Sequence, residues 1–240
     1  MKKILFLCFL ISGCAGGADV TPLESAAGKY IGAPYVLGPL GEGAAAPYDS
    51  DPLRRTDAFD CLTFVETALS DARGADLQKI RYSGGRIDWF SRNHWTETEW
   101  IPNAEMLGLV RPVDFGAAAK THAVVDLKKW YESEIPRPAG ARDRKIIESA
   151  RPFEMSVPYV PRDNITPELL AGMPRDALAF FIRCDVKSPV VRGDMISHAG
   201  FLFGGRDLAH AGEKNGAERI DFLGYLSAHK FCGVAFYEVL

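Results

Sequence analysis

Apolar positions recur at helical spacing after Phe59. Leu62, Val65, Leu69 and Ala72 fall on one face, with Phe64 and Ala68 beside them. Asp60 is a favourable N-cap, so the spacing predicts a helix that opens at Cys61. Phe59 and Phe64 stand where a hydrophobic staple would fix the entry of the chain. A shorter amphipathic helix is predicted over Leu23 to Ile31, ended by Gly32-Ala33-Pro34, and another over Val124 to Tyr131. The last third of the chain differs in kind. Ala177 to Cys184 is a continuous apolar run suited to a buried strand, and Asp194 to Phe203 is a second. Gly204-Gly205-Arg206 reads as a turn and Asp207 to Ala211 as a third strand, making a hairpin. Ile220 to Ala228 predicts a helix and Phe231 to Val239 a closing strand. Helices first and an antiparallel sheet last predict an α+β fold, with the Cys61 helix packed on the sheet.

The intervening segments carry less pattern. Residues 38–58, rich in Gly, Ala and Pro, read as an irregular loop leading to the Cys61 helix. Residues 80–103 interleave arginines with aromatics: Arg81, Tyr82, Arg86, Trp89, Phe90, Arg92, Trp95 and Trp100. Such a surface would stack on sugar rings and pair with carboxylates. The alternative is a long loop pinned to the core by its aromatics. The proline-rich stretch 135–176 reads as connection with short helical pieces such as Pro167 to Gly172.

The N-terminus supplies an address. Met1-Lys2-Lys3 precedes an apolar run, Ile4 to Ile11, too short to span a bilayer. With Ser12-Gly13-Cys14 after it, this reads as a secretory signal. Ile11-Ser12-Gly13-Cys14 resembles a bacterial lipobox, in which cleavage precedes a cysteine that carries lipid. A plain secretory signal is the alternative. The expected organisation is a signal over 1–13, a tether over 14–22 and one domain over 23–240. Lipidated Cys14 would hold that domain at the periplasmic face of an outer membrane, or elsewhere in the cell envelope. Losing Lys2 and Lys3 with no acids takes the formal charge from −3 to about −5, which gives no reason to expect a nucleic-acid partner. Beyond Cys8 and Cys14 the cysteines are Cys61, Cys184 and Cys232, too few for a disulfide scaffold. Cys184 and Cys232 lie in strand-like runs and would either pair or remain buried thiols.

Cys61 is the candidate nucleophile. A helix N-terminus favours negative charge and is expected to lower the thiol pKa and favour thiolate. The same pattern also fits a core cysteine on an amphipathic helix. The hairpin decides between them. A cysteine nucleophile needs a base, and the base an orienting partner. His198 and His210 stand on adjacent predicted strands across a tight turn, and both are expected to face the Cys61 helix. His198 would take the thiol proton and His210 would hold its ring. His94, His122, His198, His210 and His229 show no metal-ligand spacing, so neither zinc nor any other cofactor is expected. His122 and His229 read as surface residues.

Cys61 at the head of a helix, His198 in His-Ala-Gly-Phe and His210 in Leu-Ala-His-Ala resemble the NlpC-type papain-like cysteine hydrolases of bacterial cell walls. Ile31-Gly32-Ala33-Pro34-Tyr35 resembles that family's segment before the nucleophile. More narrowly, the chain resembles the N-acetylmuramoyl-L-alanine amidase-like family. The matching stretches are Phe59 to Glu66, Ile80-Arg81-Tyr82, Ser91 to Trp95 with Trp100, Ile196 to Gly200, and Phe222 to Phe236. The resemblance implies a papain-like fold and hydrolysis of an amide in peptidoglycan or a muropeptide; a monomer without a cofactor is expected. Cys61, His198 and His210 would form the triad, and Tyr35 would be an oxyanion or substrate contact. Arg81, Tyr82, Arg92 and Trp100 would meet the sugars and carboxylates of the substrate. The narrow family implies the bond between the muramoyl lactyl group and L-alanine, and the wider group the D-glutamyl-diaminopimelate bond. A non-catalytic muropeptide-binding lipoprotein would be expected to lack a triad member, and all three are present.

Overall fold

The computed structural model describes residues 19–116 and 119–240. The expected signal and Cys14 lie outside the described residues. The chain runs through α1 (Pro22–Gly28), α2 (Cys61–Arg73), α3 (Leu77–Arg81), α4 (Ile101–Met106), β1 (Val110–Pro112), β2 (Ala119–Lys120), β3 (Ala123–Val125), α5 (Leu127–Glu134) and α6 (Ala141–Ser149). It continues through β4 (Phe153–Met155), β5 (Pro158–Pro161), α7 (Pro167–Ala171), β6 (Asp176–Lys187), β7 (Val191–Phe203), β8 (Asp207–Gly212), β9 (Gly216–Asp221), α8 (Phe222–Ala228) and β10 (Gly233–Val239).

The architecture is mixed α/β with one curled antiparallel sheet. Its centre is the long β6–β7 pair. β10 lies on the other edge of β6 and carries β1 and β5 on its far side. β8 and β3 share the other edge of β7 at opposite ends, and lead on to β9 and β4. Both faces of the centre are covered, which is why residues 177–182 are apolar without alternation. Leu178, Phe180 and Ile182 pack with Phe64, Val65, Ala68 and Leu69 of α2. Ala177, Ala179 and Phe181 pack with Leu202, Leu208 and, from α8, Phe222 and Leu226.

Three expectations need correction. Val124 is in β3, and the following helix starts only at Leu127, where Asp126 accepts a bond from the Lys129 N–H (3.1 Å). Ile220 is in β9 opposite Leu208, and α8 starts after Asp221, whose carboxylate accepts from the Gly224 N–H (2.7 Å). Residues 135–176 are more ordered than mere connection, holding α6, β4, β5 and α7. Strands of three or four residues are too short for their alternation to be read.

Cys184 and Cys232 are joined, with Cα atoms 5.8 Å apart, which settles the choice between a bridge and two thiols. The bridge links β6 to the chain entering β10, beside the existing Ile182–Gly233 pair. It closes a loop with a sequence separation of 48, for which loop-closure entropy gives about 4 kcal/mol and common experience about 2–4. Replacing both cysteines by alanine is therefore expected to lower unfolding free energy in urea by about 2–4 kcal/mol. A loss under about 0.5 kcal/mol would show that the sheet alone holds this junction.

Candidate functional site

Cys61 is the first residue of α2, held there by a complete capping box. The Asp60 carboxylate accepts from the Thr63 N–H (2.8 Å), and the Thr63 hydroxyl accepts from the Asp60 N–H (3.0 Å). The staple forms as expected, with Phe59 and Phe64 edge to face at 5.9 Å. Tyr35 is placed by backbone. Its segment pairs with Phe59, with Phe59 N–H donating to Pro34 O (3.1 Å) and Val36 N–H to Phe59 O (3.0 Å). On its other side Gly32 N–H donates to Ala217 O (2.7 Å) and Ala217 N–H to Ala33 O (2.8 Å). Gly216 permits this approach. Its φ is +74°, and a Cβ there would lie 2.3 Å from Ala33 O.

The histidines come from β7 and β8. A bulge shifts the β6–β7 register, so that Phe181 pairs with His198 but Ile182 with Ile196. The extra residue breaks the alternation and lets Ser197 and His198 line one cleft. The buried Glu97 carboxylate pins the bulge by accepting from the Ile196 N–H (2.5 Å). His198 Nε2 and His210 Nδ1 are 2.9 Å apart, which leaves His198 Nδ1 as the other ring nitrogen. Gly200 makes room for β8, because a Cβ there would fall 2.8 Å from the His210 Cβ. His210 shares a face with Leu208, and the His198 ring meets Phe181 on that same side. The expectation that both face the α2 side is thus corrected. Cys61 and Tyr35 reach the cleft from the α2 layer and the histidines from the other, and together they line a volume of about 790 Å³. That is room for a ligand larger than a single amino acid.

The electrostatics overturn one expectation. Burial, reinforced by the Asp60 charge, pushes the Cys61 thiol up to about 12, although the N–H groups of Ala199, Leu62 and Cys61 itself pull the other way. A helix N-terminus contributes about 0.3–1 kcal/mol, and each pKa unit is worth about 1.4 kcal/mol. The helix start is too weak to offset enclosure. Burial also takes His198 down to about 3 and His210 down to about 4. Phe181, Tyr225 and Phe231 surround the His198 ring, and Tyr225 lies 4.6 Å from that of His210. Tyr35 is held up to about 12, first by burial and then by Cys61, and keeps its proton. Burial thus favours a neutral thiol and neutral imidazoles in the resting cleft. The thiolate absorbance of wild type minus that of Cys61→Ala is expected to be near zero at neutral pH and to rise only on alkaline titration. An ion pair would give the full signal from about pH 5 upward.

Arg81, Tyr82, Arg92 and Trp100 are not brought to this cleft, and their expected substrate contacts are corrected accordingly. Arg81, Tyr82 and Trp100 are buried. Arg81 Nε and Trp100 Nε1 donate to the buried Glu66 carboxylate (3.2 and 3.0 Å), and Arg81 Nη2 donates to Leu40 O (2.9 Å). Tyr82 donates to Gly41 O (3.0 Å), and Arg92 pairs with Glu42 and Asp49. This network ties the 38–58 loop to the back of α2, so the alternative of a segment pinned to the core holds. His94 belongs to the same packing, its Nε2 2.8 Å from Trp89 O. His122 and His229 are exposed as expected, but His229 stands at the cleft. Residues the sequence did not flag also line it: Arg183, Ser197, Tyr225 and Phe231. The bulge at Ser197 has no sequence signature, and Tyr225 carried only helical spacing. Among the described residues no cluster of three or more His, Cys, Asp or Glu could hold a metal ion.

No curated protein shows significant sequence similarity to the chain. Its fold is similar to that of a crystallised protein from Legionella pneumophila, at 24% identity over 91% of this chain and 88% of that one, with a TM-score of 0.76. It is also similar to a crystallised N-acetylmuramoyl-L-alanine amidase from Bacteroides uniformis, at 22% identity over 91% and 97% of the two chains, TM-score 0.67. At these identities the likeness is one of fold. The family described as N-acetylmuramoyl-L-alanine amidase-like matches residues 25–230, and the chain that carries Cys61, His198 and His210 within that span belongs to this AmiA-like family.

Proposed function

We propose that this protein is a cell-wall cysteine amidase that hydrolyses the bond between the muramoyl lactyl group and L-alanine in peptidoglycan or released muropeptides. The observation that carries the reading is the convergence of Cys61 with the His198–His210 pair, 2.9 Å apart, in one cleft. Membership of the amidase-like family supports the substrate class. In this reading the active-site arrangement is that of the NlpC-type papain-like hydrolases. The protein acts as a lipoprotein, anchored through Cys14 on the periplasmic side of the outer membrane.

The Cys61 sulfur attacks the lactyl carbonyl carbon as its proton passes to His198 Nδ1. The oxyanion is met by the Cys61 N–H at the helix start and by the protonated Tyr35 hydroxyl. Collapse breaks the C–N bond, and His198 returns the proton to the alanine nitrogen, which leaves as an amine. Water then attacks the thioester, giving one proton to His198; the C–S bond breaks, His198 returns that proton to the Cys61 sulfur, and the lactyl acid departs and ionises in solvent. His210 holds the His198 ring throughout.

The test is mass spectrometry of defined muropeptides and intact sacculi after incubation with the protein. Free stem peptide beginning with L-alanine, with peptide-free sugar, is the expected result. Sugar still carrying L-alanine and D-glutamate would replace the amidase with the endopeptidase. No product from either substrate would remove the enzymatic reading.

A further inference from the structure

The His210 Nε2 atom is buried and lacks a hydrogen-bond partner, while His210 as a residue is 1% exposed. Leaving a buried polar atom unpaired is costly, so this one calls for a reason. Glu218 stands directly opposite His210 in the β8–β9 register. Its Oε1 is 3.6 Å from His210 Nε2, a few tenths beyond a hydrogen bond. Glu218 is itself held, since the Asn215 side-chain amide donates to both of its oxygens at 3.0 Å. The other groups facing His210 are His198 from β7, the Tyr225 ring from α8 and the more distant His229.

We propose that Glu218, held by Asn215, is a positioning residue that selects the tautomers of both histidines and thereby makes His198 a base. This rests on Cys61 and His198 being the reacting pair. A neutral imidazole carries one proton, so the two rings are coupled. With Glu218 as acceptor, His210 holds its proton on Nε2 and offers Nδ1 as an acceptor. His198 then donates from Nε2, and its Nδ1 keeps the lone pair that receives the thiol proton. Without an anion at 218, His210 can protonate Nδ1 and donate to His198 Nε2. That moves the His198 proton to Nδ1 and closes the base. Glu218 has a second effect when His198 becomes imidazolium. His198 is buried among aromatics and resists charge, and the carboxylate behind His210 compensates that charge as the 3.6 Å gap closes.

The experiment is histidine-selective ¹⁵N labelling of wild type, Glu218→Ala and Asn215→Ala, reading which ring nitrogens of His198 and His210 carry protons, together with kcat and KM on a muropeptide. Wild type is expected to show protons on Nε2 of both rings. Glu218→Ala is expected to show them on Nδ1, with kcat down about 10–100-fold and KM little changed. That is well short of the ~10⁴-fold loss when an orienting acid directly beside the base is disabled. Asn215→Ala leaves the carboxylate in place and is expected to show a mixture of tautomers and a smaller fall. A wild-type His210 protonated on Nδ1, or tautomers and kcat unchanged in Glu218→Ala, would overturn the assignment. The expected wild-type tautomers without turnover of any muropeptide would sink the amidase reading and leave the relay standing.

Discussion

Cys61→Ala and His198→Ala are each expected to abolish turnover, by about 10⁴–10⁶-fold, with binding of a muropeptide largely kept. In the proposed mechanism the first removes the atom that bonds to substrate. The second leaves a thiol held near pKa 12 with no base to take its proton, so both lose the same covalent step. Groups that act as a unit behave this way, and the double variant should lose little more than either single one. His210→Ala should retain measurable turnover, because it orients rather than reacts. Its Nδ1 lies 2.9 Å from Nε2 of His198 rather than at the substrate. Burst kinetics on a muropeptide, with the thioester trapped by acid quench, would check the order. Full activity in Cys61→Ala would remove the mechanism.

The parts of this site written as local chemistry were legible in the sequence. Asp60, Cys61 and Thr63 make a capped helix start out of four consecutive residues, and Phe59 with Phe64 adds a staple. The hairpin followed from a Gly-Gly turn between apolar runs, and it brought His198 and His210 into contact. What was not legible depends on partners distant in sequence. Arg81 and Trp100 read as surface recognition because arginine with tryptophan is a common recognition composition. Only the fold shows that Glu66 lies between them. The upward shift of the Cys61 thiol is hidden from the sequence for a related reason. A helix start is visible in sequence, whereas enclosure by the sheet is not, and enclosure is the larger effect. Glu218 escaped notice because its meaning comes from strand register, opposite His210.

Arg81→Met is expected to cost about 3–5 kcal/mol of folding stability. Arg81 and Glu66 are 4% and 5% exposed at their side chains, so removing the guanidinium strands a carboxylate in the core. Burial already raises the Glu66 carboxyl to about 7 in spite of Arg81, which lowers it. Without Arg81 it must rise further or ionise alone. The pH dependence follows from the sign. A carboxyl whose folded pKa lies above its unfolded value stabilises the fold at low pH and loses that contribution as pH rises through the folded value. The penalty in Arg81→Met should therefore be smaller near pH 5 than near pH 8. Glu66→Gln with Arg81→Met removes both charges and keeps an acceptor for the Trp100 N–H, so it should recover much of the loss. Urea unfolding at both pH values checks all three statements, and a single-variant loss that grew on acidification would contradict them. Because Glu66 is on α2 little more than one turn from Cys61, the same variant should also slow turnover at temperatures where it remains folded. The reason is that Arg81 and Trp100 hold Glu66 on the same helix that presents Cys61 to the cleft.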